Sequence, residues 1–308
     1  MSVALLDLDD AFEDQAPFVE AASNDGLTRL DLRDIGPGLR LWARPTALEG
    51  LRSRLAAGLG SGPRLVFMGS GDFHHVSTLL IERAVCLAPE RPMSVIHFDN
   101  HPDWVRFSPG LHCGSWAAKV ARLSGVRQVL TIGLCSQDVD DDGRKGADLT
   151  VVREGLLIPF PLRAGNKEER VIAGRPVPSI EALGDPLFLD RIQTLTGNDD
   201  LYITIDKDVL SPFDANTNWD QGELRLDRLL GWIERMTQGK RLRGADVTGD
   251  ASKPVYGPGA FAALRKWGEA SLDQPMWKPL SVDAHYRNSL TNRALSALIH
   301  PRVMRYAA

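Results

Sequence analysis

Residues 94–103 read Ser-Val-Ile-His-Phe-Asp-Asn-His-Pro-Asp. An apolar, β-branched run breaks off into a polar cluster, as expected of a buried strand ending at a sheet edge. Three other segments repeat the pattern: residues 64–68 lead into Gly-Ser-Gly-Asp, 128–132 into Gly-Leu-Cys-Ser, and 201–205 into Asp-Lys-Asp. Helix-like stretches at 76–87, 115–123 and 224–236 lie among and after them, and residues 290–299 make a further flanking helix. Alternating strands and helices imply a mostly parallel sheet in a three-layer α/β/α domain. Open sheets of this kind bind ligands at the carboxyl ends of their strands. The polar clusters fall at those ends.

Composition narrows the function. The 308 residues are 43% hydrophobic, enough for a large core, and carry a net charge of -4. There is no basic field for nucleic acid. No apolar run reaches the ~20 residues of a membrane span. Cys86, Cys113 and Cys135 are too widely spaced for a disulfide framework or a cysteine-rich zinc site. The start, MSVALLDLDDAFED, lacks the basic and small-residue features of a signal peptide. A cytoplasmic protein acting on a small molecule is expected, with 1–308 forming one domain. Residues 48–59 look helical, while 14–39 are turn-rich, so 1–60 is expected to be a surface elaboration. Residues 249–279, rich in Gly, Pro and Trp, are expected to form a lid or insertion loop.

The chemistry lies in three of the clusters. In extended chain, Asp99, His101 and Asp103 share one face, and two carboxylates with an imidazole suit a divalent ion. Asp206 and Asp208 repeat the spacing at another strand end. Carboxylates gathered at one sheet edge repel unless a cation lies between them. Gly69-Ser70-Gly71-Asp72-Phe73-His74-His75 permits a tight turn that brings one of its histidines back over the edge.

Taken in series, these motifs resemble the ureohydrolases, the arginase/agmatinase/formimidoylglutamase superfamily. GSGDFHHVS (69–77), FDNHPDW (98–104), ITIDKDVLSP (203–212) and GADVTGD (244–250) are similar to its Gly-Gly-Asp-His-Ser, Asp-Ala-His-x-Asp, Ser-Phe-Asp-x-Asp and Glu-Val-Asn-Pro segments. GLHCG (110–114) and IGLCSQDVD (132–140) are fainter echoes. The resemblance runs from about Arg64 to the C-terminus. It implies an arginase-like fold, a trimer or hexamer, and two ions of the Mn²⁺ type. His74, Asp99, Asp103 and Asp206 would hold one, and Asp99, His101, Asp206 and Asp208 the other. His74 is preferred to His75 because HHVSTLL then aligns with the family's His-Ser run. The resemblance also gives His112 a role in proton transfer and Asp246 one in orienting the substrate.

Two such ions, ~3.5–4 Å apart, would lower the pKa of a water between them and so supply a nucleophile for the planar carbon of an amidine. The implied activity is hydrolysis of a non-peptide C–N bond in a guanidino or formimino compound. A one-zinc amide deacylase and a non-catalytic member are the alternatives. Asp103 and Asp208 argue against the first, and the filled acidic positions against the second. The loop Ser211–Trp219 and Trp104 depart from the family pattern and imply a tryptophan-lined mouth. Cys113 and Cys135 are read as small buried cysteines, not nucleophiles.

Overall fold

A computed structural model describes residues 3–62, 64–139, 146–163 and 170–305. Along the chain come β1 (Val3–Asp7), α1 (Ala16–Asn24), β2 (Thr28–Asp31), α2 (Gly36–Leu39), β3 (Trp42–Ala43) and α3 (Pro45–Gly58). There follow β4 (Leu65–Phe67), α4 (Ser77–Cys86), β5 (Met93–Phe98), β6 (Leu111–His112), α5 (Trp116–Val120) and β7 (Val126–Leu134). The second half holds α6 (Thr150–Arg153), β8 (Leu157–Pro161), β9 (Arg170–Ile172), β10 (Arg175–Val177), α7 (Ile180–Leu183) and α8 (Asp185–Thr196). It closes with β11 (Asp200–Asp206), α9 (Leu226–Thr237), β12 (Leu242–Thr248), α10 (Ala260–Asp273) and α11 (Val282–Met304).

Eight strands form one sheet in the order β2-β1-β4-β12-β11-β5-β7-β8. Every pairing in it is parallel. Both faces are covered, because alternate residues of each strand enter opposite cores. Leu6, Val66 and Val95 pack with α3, α4 and α5 on one side. Leu5, Phe67, Ile96 and Ile203 pack with α1, α8, α9 and α11 on the other. The three-layer expectation is met. Among the described residues no helix is long and apolar enough to cross a membrane.

The sheet order reverses between β4 and β5, and the late strands β11 and β12 fill the space between them. The carboxyl ends of β4, β5 and β11 therefore open on one crevice, which is where such sheets bind ligands.

Two regions differ from expectation. The first sixty residues are part of the sheet, since β1 and β2 complete one edge of it. Four apolar residues in a row, Val3 to Leu6, were too short a pattern to read as a buried strand. Region 249–279 contains a fourteen-residue helix, α10. Its burial pattern is inverted: Lys266 and Ala270 are buried while Phe261, Leu264 and Trp267 are exposed. The apolar stripe of this helix faces outward, so the sequence pattern does not tell which of its residues pack against the protein.

The central strands are tied to α11 by a buried polar network. Lys207 turns away from the crevice and donates to Asp250 and to Asn292 Oδ1 (2.8 Å). Gln15 Nε2 also donates to Asp250 (2.8 Å), and Asn292 Nδ2 returns a bond to Gln15 (2.8 Å). Removing one partner of a buried ion pair leaves an uncompensated charge. Asp250→Ala is therefore expected to destabilise the fold by about 3–5 kcal/mol, read as a lower urea midpoint at unchanged slope.

Candidate metal centre

Three strand ends build the cluster. His74 lies in the 3-10 turn Gly71–Val76 after β4, Asp99 directly follows β5, and Asp206 ends β11 with Asp208 in the turn beyond. The side chains converge through turns, not through the extended chain that period two suggested. Asp99 Oδ1 accepts from the His101 amide at 2.6 Å, and Asp103 adopts a left-handed φ of 49°. Such a conformation is uncommon outside glycine and gathers at functional sites. Asp206 Oδ1 likewise accepts from the Asp208 amide (3.0 Å). Glycines make room for Asp206: a Cβ on Gly71 would lie 2.6 Å from its Oδ2, and one on Gly249 2.3 Å from its Oδ1.

The tautomer of His74 follows from a hydrogen-bond chain beneath it. The Thr204 hydroxyl donates to Asp246 Oδ1 at 2.7 Å and has no second proton to give. It must therefore accept from His74 Nε2, 2.9 Å away. That leaves Nδ1 a bare lone pair, buried and without a hydrogen-bond partner. It faces Asp99 Oδ2 at 3.1 Å, Asp103 Oδ2 at 3.4 Å and Asp206 Oδ2 at 3.5 Å. Burial pushes the imidazole down to about 4, so the ring is neutral at pH 7. A lone pair aimed at three carboxylate oxygens is repulsive unless a cation or a carboxyl proton lies between them. The donor set fits a divalent metal.

A second group adjoins the first. His101 Nδ1 lies 2.9 Å from Asp208 Oδ2 and 3.6 Å from Asp99 Oδ1. Its Nε2 is 2.9 Å from Asp220 Oδ1, a carboxylate placed to take that proton and leave Nδ1 for an ion. Asp99 thus turns one oxygen towards each histidine. By distance, His74, His97, Asp99 and Asp103 form one group able to hold an ion, and Asp99, His101 and Asp208 another. Burial and the charge of Asp99 push Asp103 well above the usual carboxylate range. Burial and Asp208 do the same to Asp206, and Asp208 itself is pushed up to about 7. Each shift marks negative charge that a cation would relieve.

The predicted residues separate into two sets. His74, Asp99, His101, Asp103, Asp206 and Asp208 all line one cavity, and so does His112. His75 is fully buried and does not line it. Asp246 requires a correction. Both its oxygens are engaged within the protein, Oδ1 by Ser77 (2.9 Å) and Thr204, Oδ2 by Tyr202 (2.7 Å). It lies inside β12, in register with Thr204, and is fully buried. It holds the Thr204–His74 chain from beneath and is not placed to orient a substrate.

His112 Nδ1 accepts from the Gly114 amide at 2.8 Å, so its proton is on Nε2, 2.9 Å from Glu269. Burial pushes the Cys113 thiol well up and Cys135 to about 11, which suits inert cysteines. Trp104 and Trp219 line the cavity, as the tryptophan-lined mouth required. Asp140, which ends one of the fainter motifs, lies outside the described residues.

Sequence reading missed four contributors. His97 Nε2 lies 2.9 Å from Asp99 Oδ2, and extending the period-two pattern back one step would have found it. Trp116 donates to Asp103 Oδ2 (2.6 Å) and Asp220 meets His101, neither with a local signal. Glu269 was hidden with α10.

The profile of the arginase family matches residues 11–258, four-fifths of the chain. The chain belongs to the arginase family. An uncharacterized protein of Thermotoga maritima is 25% identical over 213 residues, 69% of this chain and 67% of its own. Entamoeba histolytica arginase, solved with L-ornithine, superposes with a TM-score of 0.59 at 11% identity, covering 95% of this chain and 97% of its own. A hypothetical agmatinase from Burkholderia thailandensis gives 0.57 at 18%, covering 99% and 86%. Formimidoylglutamase from Bacillus subtilis gives 0.54 at 12%, covering 94% and 86%. At these identities the superpositions establish the fold. This arginase-family hydrolase fold thus carries a buried His/Asp cluster that could hold metal. The family match starts at residue 11, within the part where sequence reading saw no resemblance.

Thr204→Val keeps the side-chain shape but removes the acceptor for His74. Mn²⁺ affinity, measured calorimetrically, is expected to fall roughly 10–100-fold, with Thr204→Ser close to the parent. Equal affinities in all three would show that Thr204 does not orient the ring.

Proposed function

We propose that this arginase-family chain is a binuclear metal-dependent hydrolase cleaving a non-peptide C–N bond in a linear amidine, a guanidino or formimino compound. The observation that carries the reading is Asp99, whose two oxygens face two separate histidine–carboxylate groups. His74, Asp99, Asp103 and Asp206 would hold one ion, and Asp99, His101, Asp206 and Asp208 the other. Oxygen-rich mixed ligation favours Mn²⁺. When bound, the ions supply an activated water and positive charge against which a tetrahedral intermediate is stabilised.

The chain's own residues do the remaining work. Thr204 and Asp220 fix the two metal-facing histidines, so that their lone pairs need no reorientation. Trp104 and Trp219 wall the cavity and exclude bulk water, which strengthens electrostatic interactions inside it. His112 is the proton-transfer residue, exchanging at Nε2, the ring nitrogen that carries the proton. The substrate class is supported by the names of the superposing structures, an arginase, an agmatinase and a formimidoylglutamase. The three free thiols suit a reducing, cytoplasmic setting.

Elemental analysis after Mn²⁺ reconstitution tests the centre. About two ions per chain are expected, falling sharply in Asp206→Ala. A single zinc in the parent would replace this reading with the deacylase. Turnover of guanidino and formimino compounds is then measured in His112→Ala. A loss of roughly 10²-fold or more is expected at unchanged metal content, and undiminished turnover removes His112 from the mechanism.

A further inference from the structure

Three carboxylates outside the metal cluster, Asp138, Glu269 and Asp273, also line the cavity, and Glu269 is the one held by His112 and Trp42. Glu269 lies on α10, beyond the residues matched by the family profile. Its side chain lines the cavity and is 27% exposed. Each oxygen meets one donor: Oε1 lies 2.9 Å from His112 Nε2, and Oε2 accepts from Trp42 Nε1 at 3.1 Å. Trp42 and His112 are directly paired across the β3–β6 ribbon, so their two N–H groups come from one rigid element.

The helix that carries Glu269 is itself anchored. Lys266 is buried, donates to the Gly38 carbonyl (2.8 Å) and sits 4.5 Å over the Trp42 ring. Gln274, just past the helix, donates to Asp72 at 2.5 Å. A carboxylate has about four acceptor sites, and two donors leave the others for a ligand. Burial favours its protonated form, yet the His112 hydrogen bond holds it below the usual range, so it is ionised at neutral pH.

We propose that Glu269 is the specificity-determining residue of this cavity, accepting N–H groups from the cationic, planar head of an amidine or guanidine. This deepens the hydrolase reading and rests on it for the identity of the reaction. It also gives a residue from outside the matched region the role that Asp246, buried in β12, is not placed to fill. A charged acceptor of N–H groups distinguishes a guanidinium from a neutral isostere because the charge-assisted bond is about twice as strong as a neutral one.

The test compares methylguanidine, a cation, with urea, its neutral analogue, by NMR titration of the Mn²⁺-treated protein. The parent is expected to prefer methylguanidine. Glu269→Gln keeps the shape and loses the charge, and is expected to weaken methylguanidine at least tenfold while urea changes less than twofold. Trp42→Phe removes one donor to the carboxylate and is expected to give a smaller loss in the same direction. Metal content and thermal midpoint serve as folding controls. No preference in the parent, or equal weakening of both probes in Glu269→Gln, overturns the proposal. The readout is binding, so a protein that fails to hydrolyse any amidine while keeping Glu269-dependent selectivity refutes the reaction and not the recognition.

Discussion

The constraint on which the rest depends is the burial of four carboxylates at one sheet edge. Asp99, Asp103, Asp206 and Asp208 are all nearly inaccessible, and taking each ionised group out of water costs several kcal/mol. The surrounding structure supplies local compensation. Backbone amides cap Asp99 and Asp206, Trp116 binds Asp103, and the Asn100 amide donates to Asp208. These donors orient the oxygens but bring no full positive charge. Lys207, between the two acidic residues in sequence, turns away into the core and pairs with Asp250. Lys207 is thus engaged elsewhere, and a divalent ion held among the carboxylates would supply compensating charge beyond that of His101 beside Asp208.

The same economy governs the histidines. An imidazole serves as a metal donor only if its other nitrogen has somewhere to put a proton. His74 uses Thr204, which in turn leans on Asp246, and His101 uses Asp220. His112 is arranged in the opposite sense, with Nδ1 closed by the Gly114 amide and its proton presented to Glu269. In the proposed centre, neighbours therefore divide the rings between binding an ion and donating a proton. His75, with neither nitrogen satisfied, belongs to neither class.

What the sequence disclosed follows from this division. Acidic residues at the ends of apolar runs were legible because strand ends in a parallel sheet have few other reasons to collect carboxylates. The sheet was legible for the same reason, the runs being buried on both faces. Asp246 was misplaced because a motif resemblance fixes order along the chain and not depth within a strand. Two residues of β12 still follow it, and Thr248 is the strand's last residue. His97 escaped because the polar cluster was read from its first carboxylate onward, although the strand carries the same face backwards. Glu269 escaped for a deeper reason. Its helix buries a lysine and exposes aromatics, so the signal that normally separates core from surface points the wrong way.

Floor and wall of the cavity consequently have different origins. The floor comes from strand ends inside the region matched by the family profile, where sheet register leaves each carboxylate little freedom. The wall comes from the β3–β6 ribbon and from α10, joined by side-chain bonds among Trp42, His112, Glu269 and Lys266. On the proposed reading, a change in the wall alters which head group is accepted without disturbing the charge balance beneath it. A change in the floor cannot be so contained, because every carboxylate there shares its neighbours' field. On the proposed reading, the metal floor and the recognising carboxylate of the wall are thus distinct parts of one cavity, and His112, bonded to Glu269, links them.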